Sequence, residues 1–135
     1  MSNKNFYVND VLKDMASKLK TVCSNVFPIN RPASVGEQMK EFLVVRLSYT
    51  MRDRNPYATA NFRVEIYVRE KETGIANSAR MDTLINKVTD LFPMQDEEGR
   101  YTAHRPYLSI SGSDGLGFTG QSLNGKIIIN TTDRY

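Results

Sequence analysis

The stretch Gly115-Leu-Gly-Phe-Thr-Gly120 has the G-x-G-x-x-G spacing with which a dinucleotide-binding loop brings its backbone against a pyrophosphate. That chemistry needs a strand before the loop and a helix after it, whose first N–H groups meet the phosphates. Upstream, Leu108 and Ile110 alternate with polar residues between Tyr107 and Ser111, as in a strand. Downstream, Asn124-Gly125 is a turn signal and Ile127-Ile-Ile129 is β-branched, so the chain returns as a strand around Lys126 to Thr131. No helix opens from the glycines, and Tyr135 is reached before a second strand offers a ribose-binding carboxylate. The segment from Gly112 to Gly125 reads as a flexible loop between strands, and no cofactor is expected.

The remaining candidates are isolated. Cys23 is the one cysteine and His104 the one histidine, so a Cys/His zinc site cannot be assembled and no metal is assigned. His104 stands beside Arg105-Pro106, an edge or loop setting, without the partners that a nucleophile and its base require. Ser113 precedes Asp114 but lacks the G-x-S-x-G elbow of a hydrolase. Asp96, Glu97 and Glu98 lie in a glycine-containing turn without calcium-loop spacing and read as solvated acids. No catalytic residue follows from these groups, and the chain is read as a non-enzyme.

Composition sets the frame. The 135 residues suit one domain, 1–135, with one ordinary core. Charged residues at 24% and hydrophobic ones at 40% fit a folded protein rather than a disordered tail. No apolar run is long enough to cross a membrane, and the first residues lack the apolar stretch of a secretion signal. The net charge of +3 is spread among interleaved acids and bases, a weak electrostatic footprint for nucleic acid.

Periodicity then places the elements. Val11, Leu12, Met15, Leu19, Val22, Cys23 and Val26 recur at helical spacing, and Phe27-Pro28 is expected to end that helix. Cys23 is expected inside, its thiol pKa raised by burial. Phe42 to Tyr49 reads as a strand with Leu43, Val45, Leu47 and Tyr49 on one face, and Phe42 and Val44 beside Arg46 on the other. Between Ala58 and Arg69, Ala60, Phe62, Val64, Ile66 and Val68 alternate with polar residues, so these two strands predict an antiparallel hairpin. Asn77 or Ser78 caps a second helix carrying Met81, Leu84, Ile85, Val88, Leu91 and Phe92, which also ends at Phe-Pro. That shared ending hints at an internal duplication, but Phe-Pro stops many helices and nothing else repeats. The expected fold is α+β, two helices packed on one face of a largely antiparallel sheet. Its order is α-β-β-α-β-β, with room for one extra strand.

The basic hairpin, with Arg46, Arg52, Arg54, Arg63 and Arg69 among Tyr49, Tyr57 and Tyr67, has the residue types of a nucleic-acid surface. Alternation scatters its tyrosines over two faces. It reads better as a solvated or subunit-facing surface.

An N-terminal amphipathic helix, a long charged hairpin, a second helix and closing strands together resemble the tail terminator, or tail-completion, proteins of tailed bacteriophages. The likeness runs from Val11 to Thr131. It is carried by element order, by Val64-Glu-Ile-Tyr-Val68 leading through a charged loop into Arg80-Met-Asp-Thr-Leu-Ile-Asn-Lys-Val88, and by the late glycine-rich hairpin. The resemblance implies a structural virion protein of the tail and neck region, made in the host cytoplasm. It implies a homo-oligomeric ring, often a hexamer, that closes the tail tube and meets the tail tube protein and a neck connector. Its channel would touch passing DNA without sequence preference. Another head-completion protein is the neighbouring alternative, and a nucleic-acid-binding module is the alternative of a different class. Candidate interface residues are Arg46, Arg52, Arg54, Arg63, Glu65, Tyr67, Arg69, Phe118 and Ile128. The segments Arg52 to Tyr57 and Gly112 to Gly125 are expected to be contact arms, ordered on assembly.

Overall fold

A computed structural model of the chain describes residues 8–32, 36, 38–47, 52–53, 57–72 and 75–130. In chain order the elements are α1 (Val8–Leu19), β1 (Val26–Pro28), β2 (Glu41–Leu47), β3 (Arg52–Asp53), β4 (Tyr57–Arg69), α2 (Ser78–Thr89), β5 (Met94–Gln95), β6 (Tyr101–Ala103), β7 (Tyr107–Ser113) and β8 (Phe118–Asn130). The fold is α+β, with two helices and a curled mixed sheet of eight strands. Four strands precede the second helix and four follow it, where the sequence suggests two and two or three.

The two 13-residue strands β4 and β8 are the spine, antiparallel from Tyr57 opposite Asn130 to Arg69 opposite Phe118. The free side of β4 carries β3 and then β2, and that of β8 carries β6 and then β7. β1 and β5 lie at the two ends of the path, and β1 alone pairs parallel, Val26 to Pro28 along Leu43 to Val45. Hydrophobic alternation drives this arrangement. Ala58, Ala60, Phe62, Val64, Ile66 and Val68 of β4 are all buried with Leu43, Val45, Leu123, Ile127 and Ile129. The same cluster takes in Val11, Leu12, Met15 and Leu19 of α1 and Met81, Leu84 and Val88 of α2. Each of the larger side chains, from Val upward, contributes about 1.5–3 kcal/mol on removal from water.

Three expectations are corrected. The first helix stops at Leu19: the turn is closed by N–H bonds from Val22 and Cys23 to the Leu19 carbonyl and by the Thr21 hydroxyl on the Lys18 carbonyl. Val26-Phe-Pro28 is therefore a strand, with no N–H needed from Pro28 at its end, whereas Leu91-Phe-Pro93 follows α2 as a turn. The two Phe-Pro segments differ in structure and give no sign of duplication. Secondly, Arg52-Asp53 pairs with Thr59 and Ala58 as a short strand instead of belonging wholly to a loose arm; Arg54 and Tyr49 lie outside the described residues.

Thirdly, Asn124-Gly125 is no turn. β8 runs straight through it, Asn124 opposite Arg63 and Gly125 opposite Phe62. The glycines are there for space: a Cβ on Gly125 would stand 2.7 Å from the Phe62 ring, and one on Gly120 2.9 Å from the Tyr67 ring. In each case an aromatic ring on β4 lies over its cross-strand partner and covers the backbone that a glycine leaves bare. Phe62 stacks in turn on Phe92 at 5.1 Å between centroids, which carries the core across to the turn after α2. Only Asp114 to Gly117 remain as the loop, with Gly115 and Gly117 at φ of 75° and 95°.

Candidate interaction surface

On the other face of the spine, β4 presents its odd-numbered residues and β8 its even-numbered ones. Among the described residues the face divides into a roofed end and a more open one. At the roofed end Phe42, Val44 and Phe118 form a second, smaller core with Phe27, Met39 and Tyr67 packed against it. Phe42 stacks on Tyr67 at 4.7 Å and meets Phe118 edge-on at 5.1 Å. The Arg31 guanidinium lies 4.8 Å above the Tyr67 ring, and its Nη1 bonds Asp114 Oδ2 at 2.9 Å. Asp114 Oδ1 also accepts the N–H groups of Leu116 and Phe118 at 2.7 and 3.1 Å. Burial alone would raise the Asp114 carboxyl, but these two donors and Arg31 outweigh it and hold it below the usual carboxylate range. The Ser-Asp pair of the glycine hairpin is thus a loop clamp.

Arg69 is structural in the same sense. Its Nε and Nη2 donate to the carbonyls of Met39 and Gly36, both at 3.1 Å, and its guanidinium covers the Phe118 ring at 4.6 Å. Phe118 is 2% exposed, so its role as an interface residue is corrected: it is core. Glu65 is corrected likewise, at 8% exposure. It accepts from Arg46 Nη2 at 2.9 Å and from the Tyr67 hydroxyl at 3.1 Å, and stands 3.6 Å from Arg63 Nη1. Burial, then the neighbouring Glu65 charge, push the Tyr67 hydroxyl pKa up. Arg63 also bonds Asn124 Oδ1 at 3.0 Å across the strands. The sequence-selected Arg46, Arg63, Glu65, Tyr67 and Arg69 therefore do share a face, but they hold one another and the loops above them. For Arg52 only the backbone position, beside Thr59, is described.

Beyond Arg63 the described residues place no second core over the face. Ile128 is 37% exposed, opposite Thr59 on one side and Thr102 on the other, and Tyr57 lies exposed at the end of the next row. On either side of Ile128 in the chain, Ile127 and Ile129 face the core and are buried. A second exposed apolar set lies on the β7–β8 hairpin: Tyr107 and Leu108 on the strand, and Leu116, 71% exposed, at the tip.

The isolated chemical candidates stay apart. His104 is exposed in the connection after β6, where its N–H donates to the Lys126 carbonyl. Cys23 lies past the end of α1 yet is buried, its Sγ directed at the carbonyls of Asn25 and Glu41, and burial pushes its thiol pKa up. Asp96 is buried rather than solvated, closing its own turn on the Arg100 N–H at 2.6 Å and Nε at 2.7 Å. No three acids, histidines or cysteines gather as a metal site among the described residues. From Phe118 the chain is strand, so no helix opens from the glycine loop.

No family model matches the chain, and no curated protein does. A solved structure is similar over 89% of this chain and 90% of its own, with a TM-score of 0.59 at 11% identity, a likeness of fold alone.

Proposed function

We propose that the chain is a structural assembly protein of the tail terminator type, forming a ring that closes a phage tail tube and joins it to the neck. The observation that carries this reading is the half-roofed sheet face. One end is sealed by its own aromatic core, while at the other Ile128, paired on both sides, and Tyr57 are exposed among the described residues. Apolar side chains held in the open fit a subunit contact better than a solvated surface. Both helices are taken to lie on the opposite face, as their shared core cluster supports, which leaves this one free for a neighbour.

The nucleic-acid reading is weaker on this geometry. Arg46, Arg63 and Arg69 are engaged with Glu65, Asn124 and backbone carbonyls, so their donors are partly committed before any phosphate arrives. DNA contact in this account is the unspecific kind made in passing through a ring, weakening as salt rises. Sedimentation velocity on the wild type and on Ile128→Asp tests the assembly reading. A large discrete species that the substitution abolishes, with the melting temperature kept, is expected. An assembly indifferent to Ile128→Asp would overturn this choice of contact.

A further inference from the structure

Four strands have a side without a partner among the described residues, and three of them are blunted. β1 has three residues and ends at Pro28; β5 has two and follows Pro93; β3 has two, both charged. Short length, proline and charge are the devices by which sheet edges avoid pairing with other chains. β7 differs: Tyr107-Leu-Ser-Ile-Ser-Gly-Ser113 is seven residues long, uncharged and free of proline, with Tyr107 67% exposed and Leu108 exposed beside it.

We propose that β7 pairs antiparallel with β7 of a second copy of this chain about a two-fold axis, continuing the sheet from one molecule into the next. Self-pairing follows from elimination and from shape. A second long open edge, which a head-to-tail contact through β7 would need, is not found among the described residues. The irregularity between Leu108 and Ser111 puts Tyr107 and Gly112 on the same face, opposite Asn124 and Gly120 of β8. A two-fold at that irregularity therefore sets each Tyr107 opposite Gly112 of the other copy, and each Leu108 opposite Ser111. An aromatic ring over a cross-strand glycine is the pairing the chain makes twice within itself, at Phe62 with Gly125 and Tyr67 with Gly120. Gly112 is the strand glycine without such a cover: a Cβ there meets nothing within 4 Å. No charge lies on the strand to repel its copy across the axis.

The pairing does not depend on the ring reading, because a two-fold contact is isologous and a ring contact is heterologous. The test is light scattering and native mass spectrometry of the wild type and of Gly112→Arg over a dilution series. The wild type is expected to form dimers. Gly112→Arg is expected to raise their dissociation constant about tenfold or more, with the melting temperature unchanged, since the single chain has room for the side chain. A wild type without dimers, or dimers equally tight in Gly112→Arg, overturns the proposal. A second measurement guards against misfolding: Tyr107→Cys and Gly112→Cys chains, mixed and oxidised, are expected to cross-link to each other in preference to themselves. Directly opposed residues lie about 4.5–5.5 Å apart at Cα, within disulfide reach. Cross-links no more frequent between unlike than between like chains would contradict the register. Rings that survive Gly112→Arg while dimers vanish would separate this contact from the ring contact.

Discussion

At Gly125 the absence of one methyl group lets β8 pass beneath Phe62, and the contrast with Gly112 makes that claim measurable. Gly125→Ala brings a Cβ to 2.7 Å from a ring already stacked on Phe92, and overpacking of that kind costs about 1–3 kcal/mol. Gly112→Ala meets open space and is expected to change stability by less than about 0.5 kcal/mol. Urea unfolding of the two variants checks this, and equal losses would refute the spatial role assigned to Gly125. Asp114 supplies a pH prediction. Its folded pKa lies below the ordinary 3.8, so its contribution to stability is complete above 3.8 and is lost as pH falls through the folded value. Asp114→Asn should cost about 1–2 kcal/mol at neutral pH and flatten the loss of stability on acidification below that point. An unchanged acid limb would show that the Arg31 clamp contributes nothing. Alternation in the sequence placed Glu65, Tyr67 and Arg69 on one face correctly, but it could not say what covers them. The cover comes from Arg31, Met39 and Phe118, distant in sequence, and only the tertiary fold brings them there.

Among the elements, those with strong local periodicity were the legible ones. α2 begins at Ser78 with Asn77 as its cap, the Asn77 side-chain oxygen accepting the Arg80 N–H at 3.4 Å. Asn77→Ala is expected to destabilise the protein by about 1 kcal/mol in thermal melts; no change would mean that this long bond is idle. β4 follows its alternation from end to end. What misled was local chemistry overridden by pairing: Asn124-Gly125 has turn residues, yet sits between Leu123 and Ile127, both buried and both registered on β4. Hydrogen exchange decides the matter. Amides paired within β4–β8 around Gly125 should exchange as slowly as those near Leu123 and Ile127, whereas fast exchange confined to Asn124 and Gly125 would restore the turn. β1 escaped notice because three residues ending in proline carry no periodic signal, and their parallel partner begins 17 positions later, at Leu43.

For the molecule as a whole, composition and the spacing of apolar residues sufficed for an α+β fold, while the sharing of β4 and β8 by pairs of short strands depends on long-range register that no local pattern encodes. Ile128, named from the sequence as a candidate contact, is 37% exposed between Thr59 and Thr102, and its part in a subunit contact is the proposal made above. Phe118 was read as part of a flexible loop; it begins β8 and is buried under Phe42 and the Arg69 guanidinium, contacts that no local pattern encodes. The central claim, a chain built to assemble into rings with its own copies, meets its most direct test in electron microscopy of the purified protein at increasing concentration, with native mass spectrometry of the same samples. Closed rings of fixed subunit number are the predicted result. A protein that stays monomeric or stops at dimers up to its solubility limit would contradict the claim.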